Sequence, residues 1–107
     1  MKEMIKHKIN FNNIDWETPI QGVKSKTYKY ANKQIRLIEY TKDMLLHWCQ
    51  KGHYGYIIEG ELEIEFTNEK IKFKKGDGVF IPDGAEHKHR GRAITETVKV
   101  IFVENKN

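Results

Sequence analysis

Glu61-Leu62-Glu63-Ile64-Glu65-Phe66, followed after a short gap by Lys70-Ile71-Lys72-Phe73-Lys74, decides the fold class. Side chains alternate between the two faces of a strand. Leu62, Ile64 and Phe66 therefore share one face, and Ile71 and Phe73 share one face of the next strand. A turn centred on Asn68-Glu69 sets Phe66 opposite Ile71, Ile64 opposite Phe73, Glu65 opposite Lys72 and Glu63 opposite Lys74. Apolar pairs then meet inside and opposite charges outside, each pair contributing roughly 0.2–1 kcal/mol. Asn-Glu lacks the glycine that a two-residue turn prefers at its second position, so a longer loop is the alternative.

Outward from this hairpin the chain continues as short alternating runs broken by Gly, Asn and Asp, with no long helical periodicity. That is the pattern of an all-β barrel or sandwich. Strands are expected at residues 23–30, 34–40, 45–49, 54–59, 78–82, 86–90 and 95–103. The last is apolar in both phases near its end, as expected of a central strand or one covered by a partner. Residues 9–19 read as an irregular segment whose Phe11, Ile14 and Trp16 pack onto the barrel or across a dimer.

A length of 107 residues allows one domain. Its blocks are too apolar for a disordered chain. No window holds ~18 consecutive apolar residues, so no membrane span is expected. Met1-Lys2-Glu3-Met4-Ile5-Lys6-His7 lacks the apolar run of a secretory signal, and one cysteine, Cys49, excludes an intrachain disulfide. Both point to a reducing, cytoplasmic location. The net charge of +4 raises nucleic acid as a partner. The lysines of the hairpin, however, are matched by glutamates across it, as on a solvated face, so no nucleic-acid partner is expected. A core of this size is small, and a homodimer would bury more apolar surface.

Four of the five histidines fall in two blocks, one of which also holds the cysteine. In His47-Trp48-Cys49-Gln50-Lys51-Gly52-His53, a strand would project His47 and Cys49 from one face, and a bend at Lys51-Gly52 returns His53 towards them. Imidazole and thiolate suit borderline-soft metals. The competing reading is a satisfied histidine and a small core cysteine. In the second block, Gly76 to His89, two turns flank Val79-Phe80-Ile81, and His87 and His89 follow on one face.

Together the blocks resemble the cupin superfamily. Its second motif, Gly-x5-Pro-x-Gly-x2-His, is matched by Gly76, Pro82, Gly84 and His87, although the Asn that often closes it is replaced by Gly91. Its first motif, Gly-x5-His-x-His-x3or4-Glu-x6-Gly, is matched at His47 and Gly60. Cys49 stands for the second His, His53 for the Glu, and Thr41 for the leading Gly. The resemblance spans about residues 34–103. It implies a single antiparallel cupin-type β-barrel (a double-stranded β-helix or jelly roll) over residues 1–107, with 34–103 as the core barrel and 1–22 packing on it or on a dimer partner. It also implies an interior site in which His47, Cys49, His53 and His87 hold one divalent transition metal ion. Three imidazoles and a sulfur favour Zn, Fe, Ni or Cu over Mg or Mn.

Gly55, in the inward phase, would leave room beside the metal for a ligand or else mark a bulge. His89 would be a second donor shell, a substrate contact or a partly exposed residue at the barrel mouth. Trp48 and Tyr54 have the outward phase, and Arg36 and Arg90 are expected at the surface or the pocket rim. The resemblance permits a metalloenzyme acting on a small molecule, and equally a binding or sensing module without turnover. It selects no reaction, because fold does not fix function.

Overall fold

The computed structural model describes residues 5–106; residues 1–4 of the N-terminal segment lie outside them. Among the described residues nine strands follow one another: β1 (Glu17–Ile20), β2 (Val23–Tyr30), β3 (Lys33–Thr41), β4 (His53–Glu59), β5 (Glu61–Glu65), β6 (Lys70–Lys74), β7 (Gly78–Ile81), β8 (Arg90–Ala93) and β9 (Thr97–Asn105). Three-residue 3-10 turns at Phe11–Asn13 and Ala85–His87 are the helical elements among the described residues. No helix there is long and apolar enough to cross a membrane. The strands form an antiparallel six-stranded sheet, β1-β2-β3-β9-β4-β7, and a three-stranded sheet, β6-β5-β8.

The inner faces pack as a jelly-roll sandwich. Ile38, Ile57, Val98, Val100 and Phe102 from the large sheet meet Leu62, Ile64 and Ala93 from the small one, all buried. Among the described residues, hydrogen-bonded pairing does not close into a continuous barrel. The chain passes from one sheet to the other at Gly60, whose φ of +84° suits glycine and whose Cβ would stand 2.4 Å from the Thr97 carbonyl oxygen.

The β5–β6 hairpin forms with a shifted register. Leu62 pairs with Phe73, Ile64 with Ile71, Glu63 with Lys72, and Glu65 with Lys70. The slip from the expected pairing is two residues, which preserves every face and every match of apolar or opposite-charge partners. Residues 66–69 supply the longer loop that Asn-Glu requires, closed by Phe66 N–H donating to the Glu69 carbonyl at 2.7 Å.

Two expected strands are absent. Residues 45–49 make a single bridge, Cys49 to His89, and leave Leu45 and Leu46 exposed. Residues 86–90 are interrupted, because Gly84 at φ +129° turns the chain into the 3-10 turn Ala85–His87. The irregular segment at 9–19 gains a regular end: β1 starts at Glu17 and pairs with β2.

Candidate metal centre

β4 begins at His53, and its inward phase places that ring on the inner face. There it stacks on Phe102 at 4.8 Å between centroids. Cys49 and His89 lie side by side, because their backbones exchange both hydrogen bonds, at 2.8 and 3.0 Å. The ring of His89 meets His53 edge to face at 5.1 Å. The sulfur of Cys49 and one ring nitrogen from each of His53 and His89 all lie within 4.8 Å of one another.

Hydrogen bonding fixes the tautomers. His89 Nδ1 lies 3.0 Å from the His87 carbonyl, which only accepts, so Nδ1 carries the proton and Nε2 presents a lone pair. That Nε2 is buried without any partner among the described residues. His53 Nδ1 meets the Glu104 carboxylate, which turns its Nε2 towards Cys49. Glu104 is itself fully buried. Arg36 grips it through Nε and Nη2, both at 2.7 Å, and Gln34 donates to it at 2.7 Å.

The electrostatics follow from these contacts. Burial disfavours the Glu104 carboxylate, but hydrogen bonds from His53 and Arg36 and the charge of Arg36 outweigh it and hold the pKa down at about 2. Burial likewise opposes charge on His53, yet its bonds to Cys49 and Glu104 raise its pKa above the ordinary value. The hydrogen bond with His53 pulls the Cys49 thiol below its usual range. Burial lowers the pKa of His89 and keeps its ring neutral, the form in which imidazole ligates metal.

The three donors open onto a cavity of about 280 Å³. Its walls are mostly apolar, with Val23 and Phe102 from the large sheet, Leu62 and Ile64 from the small one, and Ile20 and Met44 beside them. Tyr40, Arg36 and Arg90 add polar groups.

Of the residues singled out in the sequence, Cys49 and His53 converge. His47 lines the same cavity but is exposed, with its Nδ1 3.5 Å from the Leu45 carbonyl. His87 stands apart on the 3-10 turn, half-exposed, its Nε2 3.9 Å from Glu86. The turn that starts at Gly84 breaks the strand on which His87 and His89 would have shared a face, and His89 is the one that enters the core, 4% exposed rather than sitting at the mouth. Gly55 makes no room for a ligand, since its Cβ would lie 1.8 Å from the Ile101 carbonyl oxygen; it permits close approach of β4 and β9. Trp48 does point outward, under Arg90 at 4.7 Å and Lys88 at 5.3 Å. Sequence reasoning passed over Glu104. Its signal is a carboxylate continuing the buried phase Val98, Val100, Phe102, with Arg36 in the buried phase of Ile38 on the paired strand.

The sequence profile of the family described as "Cupin domain" matches residues 40–104. No curated protein matches the chain. Among solved structures, KdgF from Halomonas sp. superposes with a TM-score of 0.73 at 20% identity, over 90% of this chain and 91% of that one. An RmlC-like cupin from Shewanella frigidimarina NCIMB 400 gives 0.75 at 17% identity, over 96% and 93%. The polyketide cyclase RemF from Streptomyces resistomycificus gives 0.76 at 14% identity, over 97% and 81%. At such identities the likeness shows the fold alone. The profile match covers more than half of the residues, and the chain belongs to the cupin family.

Proposed function

We propose that this cupin binds one divalent transition metal ion through Cys49, His53 and His89, with His47 as a donor at the rim, and acts there on a small molecule. The observation that carries the reading is the buried, unpartnered Nε2 of His89, aimed at a thiol and a second imidazole. A buried polar atom without a partner costs about 1–3 kcal/mol, and a metal would relieve it. One sulfur and two or three nitrogens favour Zn, Fe, Ni or Cu.

Three protein donors, with the cavity-side position shared between the exposed His47 and an incoming ligand, are the arrangement of catalytic rather than structural sites. An ion held there supplies Lewis acidity to a substrate oxygen. The chain's own groups do the rest. Glu104, locked by Arg36, keeps His53 in the tautomer that offers Nε2, and the His87 carbonyl does the same for His89. The apolar walls hold the ligand and exclude bulk water. Cys49 must stay reduced to serve, which fits a cytoplasmic setting. The chain works as a homodimer. The sugar phosphate isomerase from Silicibacter pomeroyi among its structural neighbours is consistent with a small-molecule substrate.

The test is metal content after zinc loading and dialysis. Wild type should retain about one ion per chain. Cys49→Ser, His53→Ala and His89→Ala should lose most of it, His47→Ala a part, and His87→Ala and His7→Ala none. No retention by wild type with Zn(II), Fe(II), Ni(II) or Cu(I) overturns the reading, and loss in His87→Ala but not in His89→Ala overturns the ligand set. Turnover of a metabolite pool by loaded wild type and not by His89→Ala identifies an enzyme. A ligand-induced thermal shift without conversion identifies the alternative, a binding module.

A further inference from the structure

The outer face of the six-stranded sheet carries apolar rows that run straight across the strands. Tyr28, Ile35, Val103, Tyr54 and Phe80 are consecutive register partners from β2 to β7. Leu37, Ile101 and Tyr56 form the next row. Phe80 is 80% exposed, Tyr56 49% and Val103 40%. Tyr28, Ile35, Leu37, Tyr54 and Ile101 are half-buried, so the two rows join three exposed side chains into one apolar patch, and such a patch marks an interaction surface.

The two flanks of the face differ. Over β2 the N-terminal segment makes a ridge: Lys26 Nζ donates to the Phe11 carbonyl at 2.9 Å and lies 4.8 Å from the Trp16 ring, and Lys6 N–H donates to the Tyr28 hydroxyl at 3.0 Å. Over β4 and β7 no segment among the described residues covers Tyr56 and Phe80 to match. Beyond the apolar rows, a charged row of register partners alternates in sign: Lys24, Glu39, Lys99, Glu59.

We propose that a second copy of this chain docks on this face, about a two-fold axis parallel to the strands between β3 and β9. That line is the midline of the strand order β1-β2-β3-β9-β4-β7. Rotation about it lays the ridge of each copy over the open strip of the other. It sets Ile35 against the partner's Val103 and Leu37 against the partner's Ile101. It also sets Lys24 against the partner's Glu59 and Glu39 against the partner's Lys99, so every contact along the charged row joins opposite signs. A surface that complements itself under one rotation is what an isologous dimer requires, and aligned packing of two sheets is a common geometry. The inference rests on the homodimer of the preceding reading and adds its face and its axis.

Sedimentation velocity of the metal-free protein is the first arm. Wild type should be a dimer. Ile101→Lys should be a monomer with an unchanged circular dichroism spectrum. Phe80→Asp, at a position too exposed to disturb the fold, should weaken dimerisation at least tenfold. Leu45→Lys, off this face, should remain dimeric. A monomeric wild type overturns the homodimer itself. A dimer that persists undiminished in Phe80→Asp and Ile101→Lys overturns only the face.

The second arm places spin labels at position 99 or 78 in a Cys49→Ser background. With strands about 4.8 Å apart and sheets about 10 Å apart, the proposed axis separates the two copies of residue 99 by about 11 Å and of residue 78 by about 26 Å. The reverse order overturns the axis.

Discussion

Replacing Glu104 by Gln keeps the shape of the side chain and removes its charge. Arg36, gripping it through two bonds of 2.7 Å, would then hold a guanidinium beside a neutral amide, and His53 would lose the anion at its Nδ1. The carboxylate is fully buried, so little water can substitute. Breaking a buried ion pair by removing one partner costs about 3–5 kcal/mol, a large part of the ~5–15 kcal/mol that holds a domain folded. Urea unfolding should show a lower midpoint at unchanged slope, which isolates stability from compactness. Loss of the second-sphere anion should also weaken metal binding about 10–100-fold.

The double variant Arg36→Met/Glu104→Leu separates these two roles. Apolar replacements of a buried pair are often neutral, so most of the stability should return while metal affinity stays low. A cost below about 1 kcal/mol for Glu104→Gln, or metal affinity that recovers together with stability, would refute the reasoning.

Acid should unfold the metal-free protein partly through the same carboxylate. Its folded pKa, about 2, lies below the ordinary 4.5. Its contribution, about 3 kcal/mol from that difference, is therefore present above pH 4.5 and lost as pH falls towards 2. Urea midpoints measured across that window should decline in wild type and decline less in the double variant. Gly55→Ala should destabilise by at least about 2 kcal/mol by forcing β4 off the Ile101 carbonyl, which a thermal melt would register. Cys49→Ser should shift competition between Zn(II) and Mn(II) towards Mn(II) by removing the soft donor; an unchanged preference would exclude the sulfur.

The fold was legible wherever alternation was confined to one face. β2 begins and ends where its pattern does, and β5 and β6 pair with all their apolar and charged matches, because a two-residue slip costs no face. The segments at 45–49 and 86–90 were misread for one reason. Local alternation cannot tell whether a partner strand lies alongside, and there it does so only at the Cys49–His89 bridge. That local detail also decides the site. The spacing of His87 matches the cupin motif, but the 3-10 turn hands the inward position to His89. The Arg36–Glu104 pair joins residues 68 apart in the chain, and pairing of β3 with β9 has no local signature in either strand.

X-ray absorption at the metal edge of the zinc-loaded protein tests the central claim most directly. The expected spectrum contains one sulfur at about 2.3 Å and two or three imidazole nitrogens at about 2.0–2.1 Å, with the sulfur shell absent in Cys49→Ser and the imidazole count lower in His89→Ala. A first shell of oxygen alone, the same in all three proteins, would contradict it.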